Sequence, residues 1–326
     1  MRRLPFGSLV AFAVLLVHGA AAVSPAGAQT YPNRPIHILT QFAPGGAVEV
    51  TLRVLAQKLG ESGWPAVVVD NRPGGGGTLA ATEVKRATPD GYTLLLADIG
   101  SHAVSPNLVP GHPYDPVKDF TPISLMWSFA STLAVPAASP AHSVADLIRL
   151  ARKKPGGLNY ASQGPGSGGQ LLGAMLATAA GVPMTHVPYK GAGPALLDLI
   201  GNRDDLMFAS YGSVKAAVDA GQLRLLAVTS KSRMPELPDI PTMTEAGYPD
   251  VFLDAWFGMA GPAALPDPIV TTVHDKVVAI LNSAIMQEQF KKQAWEMRAS
   301  TPAQFRQVIA TDVVRLGRLL KEAGIQ

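Results

Sequence analysis

From Ile36 onward the chain alternates short apolar runs with stretches of helical periodicity, and this rhythm restricts the fold more than any other feature of the 326 residues. "IHILTQF" (Ile36 to Phe42) has the pattern of a buried strand. Val48, Leu52, Leu55 and Leu59 follow at spacings of four, three and four, one face of a 3.6-residue repeat. "AVVVDN" (Ala66 to Asn71) reads as the next strand, "RPGGGG" (Arg72 to Gly77) as a turn, "TLAATEVKRAT" as a second helix and "YTLLLADI" (Tyr92 to Ile99) as a third strand. Strict strand–helix alternation predicts right-handed βαβ units and a largely parallel sheet.

The Pro- and Ser-rich stretch from Asp115 to Pro140 interrupts the rhythm with one long apolar extended segment. This is the signature of a crossing from one lobe to another. The alternation then restarts. Helices are expected over residues 143–154, 168–180, 193–200 and 213–220, and strands over 158–162, 184–189, 205–211 and 223–230. The last of these strands would carry the chain back, and the remainder, with two long helices, would complete the first lobe. The expected fold is thus two α/β lobes, residues 29–128 plus 229–326 and residues 129–228, with a hinged interlobe cleft. In such folds ligands sit at the carboxyl ends of strands, against helix N-termini, and a cleft crossed by paired segments can hinge shut.

Composition narrows the function. At 47% hydrophobic and 16% charged, the chain is neither disordered nor fibrous. With no cysteine it has no disulfide, thiol nucleophile or Cys-based zinc site. Residues 1–28 read as a secretory signal: Arg2 and Arg3, the apolar run Leu9 to Val17, then the small residues Ala26 to Ala28 before Gln29. The expected location is therefore periplasmic. Without Arg2 and Arg3 the 27 basic residues become 25, against 24 acidic ones. No basic stripe with interleaved aromatics marks a nucleic-acid surface.

The loop "GPGSGG" (Gly164 to Gly169) satisfies G-x-G-x-x-G, yet the following strand ends in "HVPYKG", with no acid to hold a ribose. No Walker lysine follows a Gly-rich segment, no serine stands in a G-x-S-x-G elbow, and no two histidines lie four apart. His186, inside an apolar strand, reads as a core residue. One constellation remains: "FAPGGAVE" (Phe42 to Glu49) and "ASQGPGSGGQ" (Ala161 to Gln170), both Gly-rich strand-to-helix junctions, one in each lobe. Helix starts present unpaired N–H groups with partial positive charge. Neither loop carries Arg or Lys, so an anion there would be held by backbone amides and by the hydroxyls of Ser101, Ser162 and Ser167. A small carboxylate clamped between the two helix starts fits this pattern. The competing reading is a nucleotide- or ester-utilising α/β enzyme using the same cleft.

"YPNRPIHILTQFAPGGA", "VVVDNRPGGGGTLAATEVKRATPDGYTLLLA", "PYDPVKDFTPISL", "LNYASQGPGSGGQL", "HVPYKGAGPALLDLIG" and "AGQLRLLAVTSKSRMPELPDIPTMTEAG", in this order, resemble the tripartite tricarboxylate transporter receptor family, the Bug-type extracytoplasmic solute receptors. The resemblance runs from about Tyr31 to the C-terminus. It implies a periplasmic binding protein-like fold closing on a small carboxylate, without catalysis or cofactor; a monomer without a metal site is expected besides. The solute would pass to membrane components of a tripartite tricarboxylate transporter or to a sensor. The family's binding segments match Phe42, Gly45, Gly46 and Ala47, Ser101 and His102, and Ser162, Gly164, Ser167 and Gly168. Three pairs depart from the family pattern: Val48-Glu49 stands for Thr-Asp, Asp98-Ile99 for small or hydroxyl residues, and Ala209-Ser210 for Asp-Asn. Glu49, Asp98, Ala209 and Ser210 are accordingly expected to shift the pocket chemistry.

Overall fold

The computed structural model describes residues 31–326 except Pro165, Lys190, Ala323 and Gln326. The signal segment expected over residues 1–28 lies outside the described residues. Among those described, no single helix is long and apolar enough to cross a membrane.

The first lobe opens with β1 (Ile36–Thr40), α1 (Ala47–Glu61), β2 (Val67–Asn71), α2 (Thr78–Lys85) and β3 (Thr93–Asp98). Helix α1 buries Leu52, Leu55 and Leu59, the face that its periodicity marks, while Val48 is only half-buried. A π-helical turn (Gly100–Val104) and the short α3 (Ser105–Leu108) follow. The 17-residue β4 (Phe120–Pro136) then crosses into the second lobe. That lobe holds α4 (Val144–Lys153), β5 (Leu158–Ser162), α5 (Gly168–Ala180), β6 (Met184–Pro188), α6 (Ala192–Ile200), β7 (Leu206–Ser210), α7 (Tyr211–Asp219) and β8 (Leu223–Val228). Residues 229–253 lead back to β9 (Asp254–Pro262), followed by α8 (Asp267–Leu281), α9 (Ala284–Gln293), β10 (Glu296–Met297) and α10 (Pro302–Glu322). Two long helices are expected after the return. The chain forms three, because Asn282 and Ser283 break the first apolar stretch into α8 and α9.

The strands form one continuous sheet in the order β2-β1-β3-β9-β4-β7-β5-β6, with β8 and β10 also paired to β4. The outer trios, β2-β1-β3 and β7-β5-β6, are parallel, as βαβ units require. The centre departs from the largely parallel expectation: β3·β9, β9·β4, β4·β7 and β4·β8 are all antiparallel. Helix–strand periodicity reports that a segment is a strand but not which way it runs, and the two crossings run in opposite senses.

These directions position the site. Strand β9 runs against both β3 and β4, so β4 points the same way as β1–β3. The second lobe's parallel strands run against β4. The carboxyl ends of both parallel trios therefore converge on the middle of β4 from opposite directions. Asp98, the end of β3, is level with Phe257 and through it with Trp127; Ser210, the end of β7, is level with Ser131. Four residues of extended chain, about 13 Å, separate the two rims along the strand. The crossings are stitched together there: Ser131 and Thr229 exchange backbone and side-chain hydrogen bonds at 2.8 and 2.9 Å.

Candidate functional site

Each rim carries a helix start, and the two starts share one turn. In the first lobe Gly45 (φ 88) precedes the α1 cap Gly46 (φ −74, ψ 153), and the Gly45 N–H donates to Glu49 Oε2 at 3.0 Å. In the second, Gly166 (φ 76) precedes the α5 cap Ser167 (φ −76, ψ 155), and the Gly166 N–H donates to Gln170 Oε1 at 2.7 Å. The left-handed glycine turns the chain into the cap, and the third helical residue reaches back to satisfy its amide, as in a capping box. Ser167 Oγ also accepts from the Gln170 N–H at 3.3 Å. The remaining first-turn N–H groups, Ala47 and Val48 in α1 and Gly168 and Gly169 in α5, have no acceptor within their helices.

Around the α1 start, the other loops of the first lobe form a platform. Gln41 donates to the Asp98 carboxylate, and Ser101 N–H donates to Asp98 Oδ1 at 2.7 Å. Asn71 Nδ2 donates to the Phe42 carbonyl at 2.7 Å. The "RPGGGG" turn lies directly on this platform: a Cβ on Gly77 would stand 2.6 Å from Ser101 Cβ. In the second lobe Gln163 Nε2 donates to the Phe208 carbonyl at 3.0 Å, and a Cβ on Gly169 would lie 2.9 Å from that same oxygen. Glycine there lets α5 start hard against β7.

The expected site residues divide by access. Gly45 and Gly46 are exposed, and Phe42, Ala47, Ser167, Gly168 and Ser210 are half-buried on the rims. Ser210 stands at the N-cap position of α7 without a side-chain capping bond, its Oγ 2.7 Å from Ser213 Oγ. Gly164 and Ala209 are buried, the Ala209 carbonyl taking a bond from Thr132. Glu49 is 1% exposed, turned towards Arg53 and Asn71. Burial would raise its carboxyl, but the Gly45 N–H, Arg53 and Asn71 outweigh it and hold the group below the usual carboxylate range. Asp98 is 3% exposed, and burial pushes its carboxyl above that range despite the bonds from Ser101 and Gln41.

Ser101, His102 and Ser162 are fully covered. His102 packs among Tyr114, Phe120 and Trp256. Its Nδ1 lies 3.0 Å from Ser101 Oγ, its Nε2 has no partner, and burial, with help from His112, holds its pKa down to about 3. Ser162 Oγ lies 2.6 Å from His186 Nε2. His186, read from the sequence as core, is half-buried on the edge strand β6 and stacks on Tyr160. It lines a concavity of about 340 Å³ beside α5, shared with Gln170 of that helix's first turn. Sequence reasoning missed Gln41, Gln163 and Thr229. Their positions beside strand ends were the only available signal. Among the described residues, no group of three or more His, Asp or Glu side chains could hold a metal ion.

Two α/β lobes joined by crossing strands, with a matched helix start on each facing rim, define a two-lobed binding receptor. The chain belongs to the family described as "Tripartite tricarboxylate transporter family receptor", whose family model matches residues 51–325. Among solved structures it is similar to R. palustris Rpa4515 with adipate (34% identity, 90% of this chain and 98% of that one, TM-score 0.82). It is also similar to the periplasmic binding protein BugD (33% identity, 91% and 99%, TM-score 0.80). A third similar structure is MatC from Rhodopseudomonas palustris with bound malate (28% identity, 89% and 100%, TM-score 0.80).

Proposed function

We propose that the protein is a periplasmic solute receptor that captures a small organic carboxylate between its lobes. The observation that carries this reading is the pair of matched turns facing each other across residues 127–131 of β4. The first-turn amides of α1 at Ala47 and Val48 hold the carboxylate from one side, and those of α5 at Gly168 and Gly169 from the other. Phe42, Gly45, Gly46, Gly164 and Ser210 shape the walls. Glu49, Asp98, Ser101, His102 and Ser162 have their polar atoms engaged within the loops or sealed in the core. They act by setting loop geometry rather than by touching solute. We set the lobe boundaries near residues 128 and 229, a reading supported by the passage of β4 between the rims and by the bonds that tie Thr229 to it. The family's membrane components, or a sensor, would receive the loaded form of what we take to be a monomer. Binding rather than turnover is the role that family membership favours.

Each helix start contributes ~0.3–1 kcal/mol to an anion, up to ~2 when partly buried. Two starts supply ~4 kcal/mol at most, about half of the ~8 kcal/mol that micromolar affinity requires. Hydrogen bonds from the amides and burial of the ligand's carbon skeleton must supply the rest. Native mass spectrometry of the purified protein, followed by titration with the released solute, tests the proposal. A stoichiometric small carboxylate, and a more compact particle by X-ray scattering on binding, are the expected results. A purified protein that binds no carboxylate, or that turns its solute over, would sink it.

A further inference from the structure

The proposed carboxylate clamp says nothing about the body of the solute, but the middle of β4 does. From Pro122 to Pro136, Phe129 is the one residue that keeps solvent access. It sits inside the 127–131 interval between the facing rims. Its ring stacks on Phe257 (centroids 5.8 Å apart, 22°) and on Trp295 (5.6 Å, 17°). Phe42, which opens the loop into α1, meets the same Phe257 edge-on at 5.6 Å. Beneath them Trp127 and Trp295 lie parallel, 6.0 Å apart at 6°. Phe42, Ala47, Val48 and Phe129 are all half-buried against this one cluster.

An apolar surface therefore runs from the first turn of α1 to the crossing strand, with two aromatic rings open to solvent on either side of a buried third. A hydroxyl or second carboxylate laid on it would lose water and gain no partner, while an aryl or alkyl chain would gain contact with ring faces. Loop 42–49 carries no cation to hold a second charge there. The cation against Ser128 of the same strand, Arg298, is engaged by Asp254 and Glu296.

We propose that Phe129 and Phe42 form a specificity platform, which makes this a receptor for carboxylates with an aryl or unbranched alkyl body in preference to short hydroxylated dicarboxylates. The inference rests on the clamp described above, and its test separates the two. Isothermal titration with benzoate, hexanoate and malate should rank benzoate or hexanoate about tenfold above malate, as burial of about two additional methylene-sized groups implies. Phe129→Ala should collapse that ratio towards one. Phe129→Leu, which keeps an apolar body, should retain the ranking at reduced strength, and thermal melts would confirm that both variants fold. Malate binding as tightly as benzoate and hexanoate to the wild type, or an unchanged ratio in Phe129→Ala, overturns the platform and leaves the clamp standing. Binding of none of the three overturns both.

Discussion

Lowering the pH from 7 to 5 acts on the buried imidazole of His102, which lies directly beneath the platform of the first lobe. The ring is 0% exposed, and burial, reinforced by the neighbouring His112, holds its pKa down to about 3. The native state therefore keeps the neutral form, while an unfolded chain titrates near 6.5. A depressed folded pKa contributes stability that is fully present above 6.5 and is lost as pH falls from there towards 3. At pH 5 the unfolded chain has taken up a proton that the native state refuses. A pH 1.5 units below 6.5 corresponds to a loss of ~2 kcal/mol. Three nearby groups complicate the raw curve, and one of them, His112, is itself lowered by burial and acts in the same sense as His102. The Asp98 carboxyl is raised by burial and so acts in the opposite sense as pH falls, whereas Tyr114, raised by burial and by Asp98, stays protonated throughout. The informative quantity is the difference between wild type and His102→Gln, which removes the titration and keeps a polar side chain. In urea unfolding followed by circular dichroism, the wild-type advantage over the variant should shrink by ~2 kcal/mol between pH 7 and pH 5. Parallel curves, with the gap constant to within ~0.5 kcal/mol, would refute the argument that burial keeps His102 neutral.

Three further outcomes are expected. Ser167→Ala removes the α5 cap that accepts from the Gln170 N–H and should lower stability by ~1 kcal/mol, with Ser167→Asp restoring most of it in thermal melts. Gly77→Ala places a Cβ 2.6 Å from Ser101 Cβ on a backbone at φ 94; it should cost ~1–3 kcal/mol and weaken solute binding together with the fold, and a melting temperature equal to wild type would contradict this. Arg53→Met leaves the Glu49 carboxylate buried with only neutral partners. Because Arg53 itself is half-exposed and screened by water, the expected loss is ~1–2 kcal/mol rather than the larger figure for a fully buried pair, and Glu49→Gln in the same background should recover part of it in urea titrations.

Much of this architecture is legible in the residues, for identifiable reasons. The expected strand over residues 158–162 and helix over 168–180 match β5 and α5 because Ser167 and Gly181 are strong local stop signals at each end. The first strand ends at Thr40 instead of Phe42, since Gln41 and Phe42 are drawn into hydrogen bonds with Asp98 and Asn71 from other strands. No local pattern encodes those partners. Glu49 and Asp98 show both sides of that limit: Arg53, one turn along the same helix, is a partner the sequence itself offers Glu49, whereas Asn71 beside Glu49 and Gln41 beside Asp98 arrive from elsewhere, so each carboxylate next to a Gly-rich loop reads as a cleft acid. Phe129 was invisible for the opposite reason. In a run of apolar residues nothing distinguishes the one ring that tertiary packing leaves uncovered.

The crossing strand has a mechanical consequence. Here β4 is bonded along both edges in the second lobe, to β7 and β8, and along one edge to β9 in the first, where β10 meets the other edge at Trp127 and Ser128. Unravelling either lobe strips partners from a ladder that also serves the other. Loss of structure as one cooperative unit is the expected outcome, and coincident urea transitions by fluorescence and circular dichroism would check it. In the proposed closure the lobes would move by flexing this shared strand rather than by swinging about a loose tether.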